Sequence, residues 1–525
     1  MVKKFLINWK KTGIILFLIL LFAFLIRIYH LTSMPVFADE AIYIRWSQVM
    51  AADNTLRFLP LSDGKQPFYM WILMFLMNKR FDPLFLGRVI SVFSGIGTIA
   101  ATFGISYSLF KSKKVALIAS FMTAIVPFSF FFDRMALVDS LLTMFGMWTL
   151  LLGIITAKTK RLDMAMLTGF SLGGALLTKS PALFFAVLLP LTLVVSKWPK
   201  KRMDVLTHVF HLVGLLLVTY VIGYGMYGIL RLGPNSQFIT IRNMDYVYPI
   251  SHLFGSGWWD PFTFHFKEVF TDWFMAWGPG LLTLFFFPGI FTTVRKHKWE
   301  VVLIFAWFIV PLLATSEFGK VFTARYILYT LPPFYMLLAS AFLERNKIYT
   351  KILTIVFIFL VINSLRIDYL FATNIEVAPI PSSERSGYLE EWTSGTGIKE
   401  VSDYIKGVHS QNPGKGIVVG TEGLFGTLPD GLQIYLNEIP NLTVVGVGLD
   451  LDKVPSNLVN SKRSGNFTYL VVNNDRLKFT NPESKGLRLI AAYPKAFRLD
   501  KNAKEYKNLG PRETLYLFEL VDSGK

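Results

Sequence analysis

Eleven apolar runs divide the first 365 residues of this 525-residue chain, near 13–29, 84–110, 115–132, 136–156, 164–178, 181–196, 207–230, 276–294, 299–316, 324–343 and 348–365. A hydrocarbon layer takes about 20 residues of helix to cross. Inside it every backbone N–H and C=O must be satisfied within the protein, which helices achieve one by one. A chain patterned this way is expected to be a polytopic α-helical membrane protein of about 11 spans. Composition agrees, with 53% hydrophobic and 15% aromatic residues.

Charge supplies an orientation. Residues 1–365 carry 34 Lys+Arg against 16 Asp+Glu, whereas residues 366–525 carry 19 of each. The excess is gathered in Lys3/Lys4/Lys10/Lys11, Lys111/Lys113/Lys114, Lys158/Lys160/Arg161, Lys197/Lys200/Lys201/Arg202, Arg295/Lys296/Lys298 and Arg345/Lys347/Lys351. Each cluster follows an even number of spans, so the positive-inside rule puts all six on the cytoplasmic side. The short segment 67–78, PFYMWILMFLMN before Lys79 and Arg80, would break that parity if counted. It reads as an interfacial or re-entrant helix. Basic residues confined to short loops, with no groove-reading motif, exclude a nucleic-acid partner. The absence of cysteine excludes disulfides and thiol chemistry. A cleaved leader ending before Asp39 is the rival reading of the first span.

Beyond residue 365 the pattern changes. GIVVGT (416–421), LTVVGVGL (442–449), YLVVNN (469–474), LRLIAAY (487–493) and TLYLFEL (514–520) are short β-type runs. Amphipathic stretches at 397–410 and 431–438 lie among them, so the segment reads as a small α/β domain. The expected organisation is a membrane domain 1–365, a linker 366–395 containing VAPIPSSERSG, and an extracytoplasmic domain 396–525.

Five stretches place charge at the outer ends of spans: FADEAIY with Asp39 and Glu40, SDGKQPFY with Lys65, FFDRMALVDSLL with Arg134 and Asp139, LLTKSPALFF with Lys179, and ARYILYTLPP with Arg325. Ionisable residues near hydrocarbon are costly and are kept for a partner or a task. Their bland readings are specific. Lys65 is an interface-snorkelling lysine, Asp139 pairs with Arg134, Arg88 anchors a span end, and Lys179 with Pro181 only breaks a helical hairpin.

Taken together, in order and spacing over residues 10 to about 365, these stretches resemble the C-type membrane glycosyltransferases. The likeness is to the broad family of protein O-mannosyltransferases and the lipid A aminoarabinose transferase. The resemblance implies a C-type glycosyltransferase fold and transfer of a hexose or pentose from a polyprenyl-phosphate carrier to a hydroxyl acceptor at the outer face. Asp39 would be the base, Glu40 would orient acceptor or donor, and Asp139 would be a second acidic wall. Lys65, with Arg88 or Arg325, would hold the donor phosphate. Arg134, Lys179, Trp258 and Trp259 are substrate-binding candidates, the tryptophans of GWWDPF serving as an aromatic belt or a substrate platform. The expected partners are a polyprenyl-phosphate sugar, a hydroxyl acceptor (protein, lipid or glycan) and membrane lipid, with no cofactor. Asp39, Glu40 and Asp139 leave a hard divalent cation as an alternative to no metal. One departure stands out: Gly64-Lys65-Gln66-Pro67 occupies the place of the family's Glu-Lys-Pro-Pro. A transporter or flippase of lipid-linked sugars is the competing class, since it too needs many spans and intramembrane charge. A ligand sensor would leave the acidic pair idle.

Overall fold

The computed structural model of the chain describes residues 2–78 and 80–521. Lys79, and the side chains of Lys3, Lys4 and Arg202 from the basic clusters, lie outside the described residues.

Among the described residues, seven helices are long and apolar enough to cross a membrane: Trp9–Ile28, Pro83–Phe110, Val138–Thr159, Asp204–Leu232, Lys298–Phe318, Ala324–Leu343 and Lys347–Thr373. An eighth span is available if Trp259–Ala276 and Gly280–Lys296, bent by 95° at the Gly-Pro-Gly between them, count as one. The remaining three expected spans coincide with shorter or broken helices, for identifiable reasons. Leu162–Thr178 has 17 residues. Pro127 divides Lys113–Ile125 from Pro127–Phe132, and Pro190 turns the end of Ala182–Leu188 into a 3₁₀ helix. A proline ends a helix at the residue before it because its ring clashes there and it brings no N–H. The segment 67–78 forms the nine-residue helix Phe68–Leu76, too short to span.

The chain folds into two compact units that interleave along the sequence. One gathers Met1–Leu31, Thr55–Ile72 and Arg88–Pro379; the other gathers Thr32–Asn54, Leu73–Gly87 and Ile380–Lys525. The acidic pair is therefore built into the same unit as the carboxyl-terminal sheet.

In the membrane unit a buried charge cluster fixes the end of the first helix. Arg27 is fully buried, pairs with Asp133 at 3.0 Å and donates to the Ala124 carbonyl at 2.7 Å. The Arg134 guanidinium donates to the carbonyls of Ile26, Arg27, Tyr29 and His30 at 3.2, 2.7, 2.7 and 3.0 Å. The last carbonyls of a helix have no intrahelical donor, and a guanidinium with five N–H groups satisfies several at once.

The second unit holds a five-stranded mixed sheet: β1 (Ile417–Glu422), β2 (Leu442–Gly448), β3 (Phe467–Asn473), β4 (Leu487–Pro494) and β5 (Thr514–Leu520). The order is β2-β1-β3-β5-β4. β1 runs parallel to β2 and β3, and β5 is antiparallel to β3 and β4. The parallel neighbours need crossovers, supplied by Asp430–Leu436 and Ser456–Arg463. Leu458, Leu470, Val472, Leu487 and Phe518 close one core beneath the sheet.

Candidate active site

The helix Ala38–Ala52 begins where Phe37 bridges to Ser394 in antiparallel fashion, Ala38 N–H donates to the Thr393 carbonyl, and Gly395 N–H donates to that of Val36. Its far half is tied to the helix Asp430–Leu436 and the residue after it. Arg45 Nη1 donates to Asn437 at 2.8 Å and Gln48 Nε2 to the Ile434 carbonyl at 2.8 Å. Within the adjacent acids the work is divided. Glu40 is fully buried, and its Oε2 accepts from the Phe37 backbone N–H at 3.0 Å, so it caps the helix it sits on. Asp39 is half-buried in the same first turn, where the aligned N–H dipoles favour a carboxylate.

In the membrane unit the candidates converge on Lys179. Its Nζ binds Asp139 Oδ1 at 2.7 Å and lies 4.2 Å above the Tyr326 ring. Arg325 and Lys65 are within electrostatic range of it. Asp139 is 2% exposed, and its Oδ2 has no hydrogen-bond partner among the described residues. The expected structural partner, Arg134, is committed instead to the four helix-end carbonyls. Lys65 is half-buried, 4.7 Å above the Tyr246 ring, with a long 3.5 Å contact to its hydroxyl. Beside it Gln66 Nε2 donates to Ser180 Oγ at 2.8 Å, and Ser180 donates to Asn243 at 3.3 Å. Among the described residues, Lys65, Lys179 and Arg325 thus gather about the Asp139 carboxylate. Cations with half-open side chains are what a phosphate leaving group requires.

The departure at Gly64 has a physical cause. Gly64 has φ +67°, and an added Cβ would lie 2.7 Å from Arg242 Cβ and 2.7 Å from the Phe238 carbonyl. Arg242 fills that space and pairs with Asp63 at 2.6 Å and Asp245 at 3.0 Å. No side chain fits at position 64, so the acid beside Lys65 is Asp63, already paired.

Other candidates stand apart from this cluster. Arg88 is fully buried and donates to the Leu31 carbonyl at 2.9 Å, near Arg134. Trp258 and Trp259 are 38% and 51% exposed, with ring centroids 5.0 Å apart, and Trp259 packs on Phe262. Sequence reasoning missed Tyr246, Tyr326, Gln66, Ser180 and Arg242. Only Arg27, a charge inside an apolar run, carried a signal that pointed to buried pairing.

Among the described residues, the acidic trio spaced for a metal ion is Glu391, Asp475 and Glu513. Arg498 occupies it, reaching the three at 2.7, 3.1 and 3.4 Å.

Residues 64–224 match the family model described as dolichyl-phosphate-mannose-protein mannosyltransferase. Two structures of ArnT from Cupriavidus metallidurans share the fold across the whole chain. The form bound to undecaprenyl phosphate gives a TM-score of 0.56 at 14% identity, over 97% of this chain and 98% of that one. The apo form gives 0.54 at 14% identity, over 95% and 97%. No match was found among curated protein sequences. The class of protein is thus a multi-pass integral membrane protein with the C-type glycosyltransferase fold. More particularly, residues 64–224 are similar to the dolichyl-phosphate-mannose-protein mannosyltransferases. The resemblance drawn from the sequence is borne out in the fold and over the matched segment.

Proposed function

We propose that the protein transfers a sugar from a polyprenyl-phosphate to a hydroxyl of a protein, lipid or glycan at the outer face of the cell membrane, with the sheet domain extracytoplasmic. The half-buried Asp39 takes the acceptor proton as the hydroxyl oxygen attacks the anomeric carbon. The bond from that carbon to the phosphate oxygen breaks, and the polyprenyl phosphate leaves with the electron pair. Lys65 and Arg325 stabilise the charge developing on the phosphate, while Lys179 holds Asp139 so that its second oxygen accepts a hydroxyl of the donor sugar. Glu40 orients Asp39 through the helix cap, and Arg88 and Arg134 act at one remove, by fixing the end of the first helix. Trp258 and Trp259 lie at the membrane surface beside the donor's lipid.

The observation that carries this reading is the gathering of Lys65 and Lys179 around one incompletely satisfied carboxylate, Asp139, in a segment of the chain matched to a transferase family. A positioned base contributes roughly 10²- to 10⁴-fold to such a step. Asp39→Asn is therefore expected to cut release of polyprenyl phosphate by about 10²-fold or more. The assay uses the purified protein in lipid discs, supplied with polyprenyl-phosphate sugars and a cell-envelope extract. Wild-type-like release by a well-folded Asp39→Asn protein would remove Asp39 from the base role. No release by the wild-type protein with any sugar would sink the transferase reading.

A further inference from the structure

The sheet-bearing unit contains a cleft of about 760 Å³, within the size range of small-molecule sites. Its walls are the far end of the helix Ala38–Ala52, residues 77–78 and 80–83, the helix Ile398–Gln411 and residues 434–440. Most charges on the walls already have work, among them the carboxylate of Glu438, which lies within electrostatic range of Arg45. Lys399 Nζ binds both oxygens of Asp403, at 2.7 and 2.6 Å. Asp82 Oδ1 caps the next helix by accepting from the Leu84 and Phe85 N–H groups. His409 Nε2 contacts the Pro440 carbonyl at 3.0 Å. Two cations differ. The side chains of Arg80 and Lys406 line the cleft and form no ion pair or hydrogen bond among the described residues. The rings of Tyr435 and Phe81 and the amide of Asn437 line the same cleft.

A second recess of about 190 Å³ shares Asp82, Lys399 and Tyr435 with the first, and is walled by Thr32, Ser33, Met34, Pro35 and Val36. That strand of wall runs straight into Asp39, three residues later. The cleft is thus joined, through shared residues and within one unit, to the chain that delivers the proposed base.

We propose that this cleft binds the acceptor, and that the acceptor is an anionic saccharide whose carboxylate or phosphate groups are held by Arg80 and Lys406. Aromatic faces, a side-chain amide and two cations in one recess suit sugar rings bearing negative charge. Rings cover the apolar face of a sugar, amides meet its hydroxyls, and the cations form charge-assisted bonds to its anions. An acidic peptide would draw on the same cations but would not need the rings. The inference rests on the transferase reading only in naming the ligand as acceptor.

The test measures binding without turnover, on full-length Asp39→Asn protein in lipid discs. The probes are oligogalacturonate, a 6-phosphorylated oligomannose, neutral maltohexaose and hexaglutamate. Saturable binding of one or both anionic saccharides is expected, with no saturation by maltohexaose or hexaglutamate. The two anionic probes separate a carboxylated from a phosphorylated acceptor. Arg80→Gln and Lys406→Gln should each weaken binding about tenfold, the scale of one charge-assisted hydrogen bond. Lys415→Gln, which removes an exposed cation away from the cleft, should leave it unchanged. Binding by neither anionic saccharide, equal binding by hexaglutamate, or equal loss in all three variants would overturn the proposal. Binding that behaves as expected in a protein that never consumes donor would refute the transferase reading and leave the cleft standing.

Discussion

Two charge clusters in this protein are built to opposite rules. Around Lys179 three cations face one carboxylate, the side chains of Lys65 and Arg325 are half-buried, and Asp139 Oδ2 is left without a hydrogen bond among the described residues. Around Arg498 three carboxylates close on a guanidinium that is 3% exposed, with the buried Lys495 beside them. The second cluster closes on a buried guanidinium, although Glu513 Oε1 too is left without a hydrogen bond among the described residues. The first keeps the side chains of Lys65 and Arg325 partly open. Similar residue types are therefore arranged in opposite ways, and the sign of the charge that gathers around the centre tells the two clusters apart.

The sharpest way to break this contrast is to remove the centre of the closed cluster. Arg498→Met strands three carboxylates in a buried site, and breaking such an arrangement costs roughly 3–5 kcal/mol. The sheet-bearing unit is expected to lose protection in hydrogen exchange across β3 and β5. Unchanged protection would mean the cluster is held by something other than Arg498.

Next in size is the open cluster. Lys65→Gln should slow polyprenyl-phosphate release by about tenfold or more, with an unchanged melting temperature, because a leaving-group cation is lost and no buried partner is stranded. Lys65→Arg should restore part of the rate, since charge returns with altered geometry. A Gln variant that matches wild type in donor affinity and rate would make Lys65 a snorkelling lysine and pass the phosphate role to Arg325.

A smaller effect is expected at Gly64→Ala. The left-handed backbone costs a non-glycine residue roughly 1–2 kcal/mol, and the new Cβ meets Arg242. Displacement of the neighbouring Lys65 should raise the KM for donor while lowering the melting temperature modestly. An unchanged KM would show that Lys65 is held independently of the turn.

The smallest effect is a pH dependence. Three carboxylates share Arg498 and Lys495, and burial, followed by the neighbouring acids, pushes Glu513 up to about 8. A folded-state value above the unfolded one means the folded protein holds the extra proton. Its stabilising contribution is complete below about pH 4.5 and is lost as pH rises towards about 8. Thermal unfolding of the sheet-bearing unit should therefore ease between those values in the wild type, and Glu513→Gln should flatten the slope. A slope unaltered by Glu513→Gln would place the titration elsewhere.

The sequence by itself determined most of the secondary structure. All five β-type runs became strands within two residues of their expected ends, because alternating apolar residues have one stable pairing when a face must be buried. Seven of the eleven apolar runs became helices of spanning length among the described residues, since a hydrocarbon layer admits little else. The positions of Asp39, Lys65, Asp139, Lys179 and Arg325 were legible as charges that apolar surroundings would not tolerate idle.

What only the tertiary structure decided was partnership. Neighbours in sequence, Asp39 and Glu40, took different work because the second is consumed by a helix cap. Asp139 met Lys179, 40 residues on, while Arg134, five residues away, turned to the carbonyls of the first helix. Gly64 displaced an expected acid because Arg242, from a distant helix, needs the space. Segments 32–54 and 73–87 left the membrane unit for the sheet-bearing one. Local pattern fixes which groups are polar and which backbone they ride on; which polar groups meet depends on long-range packing, where a partner hundreds of residues away competes on equal terms with a neighbour.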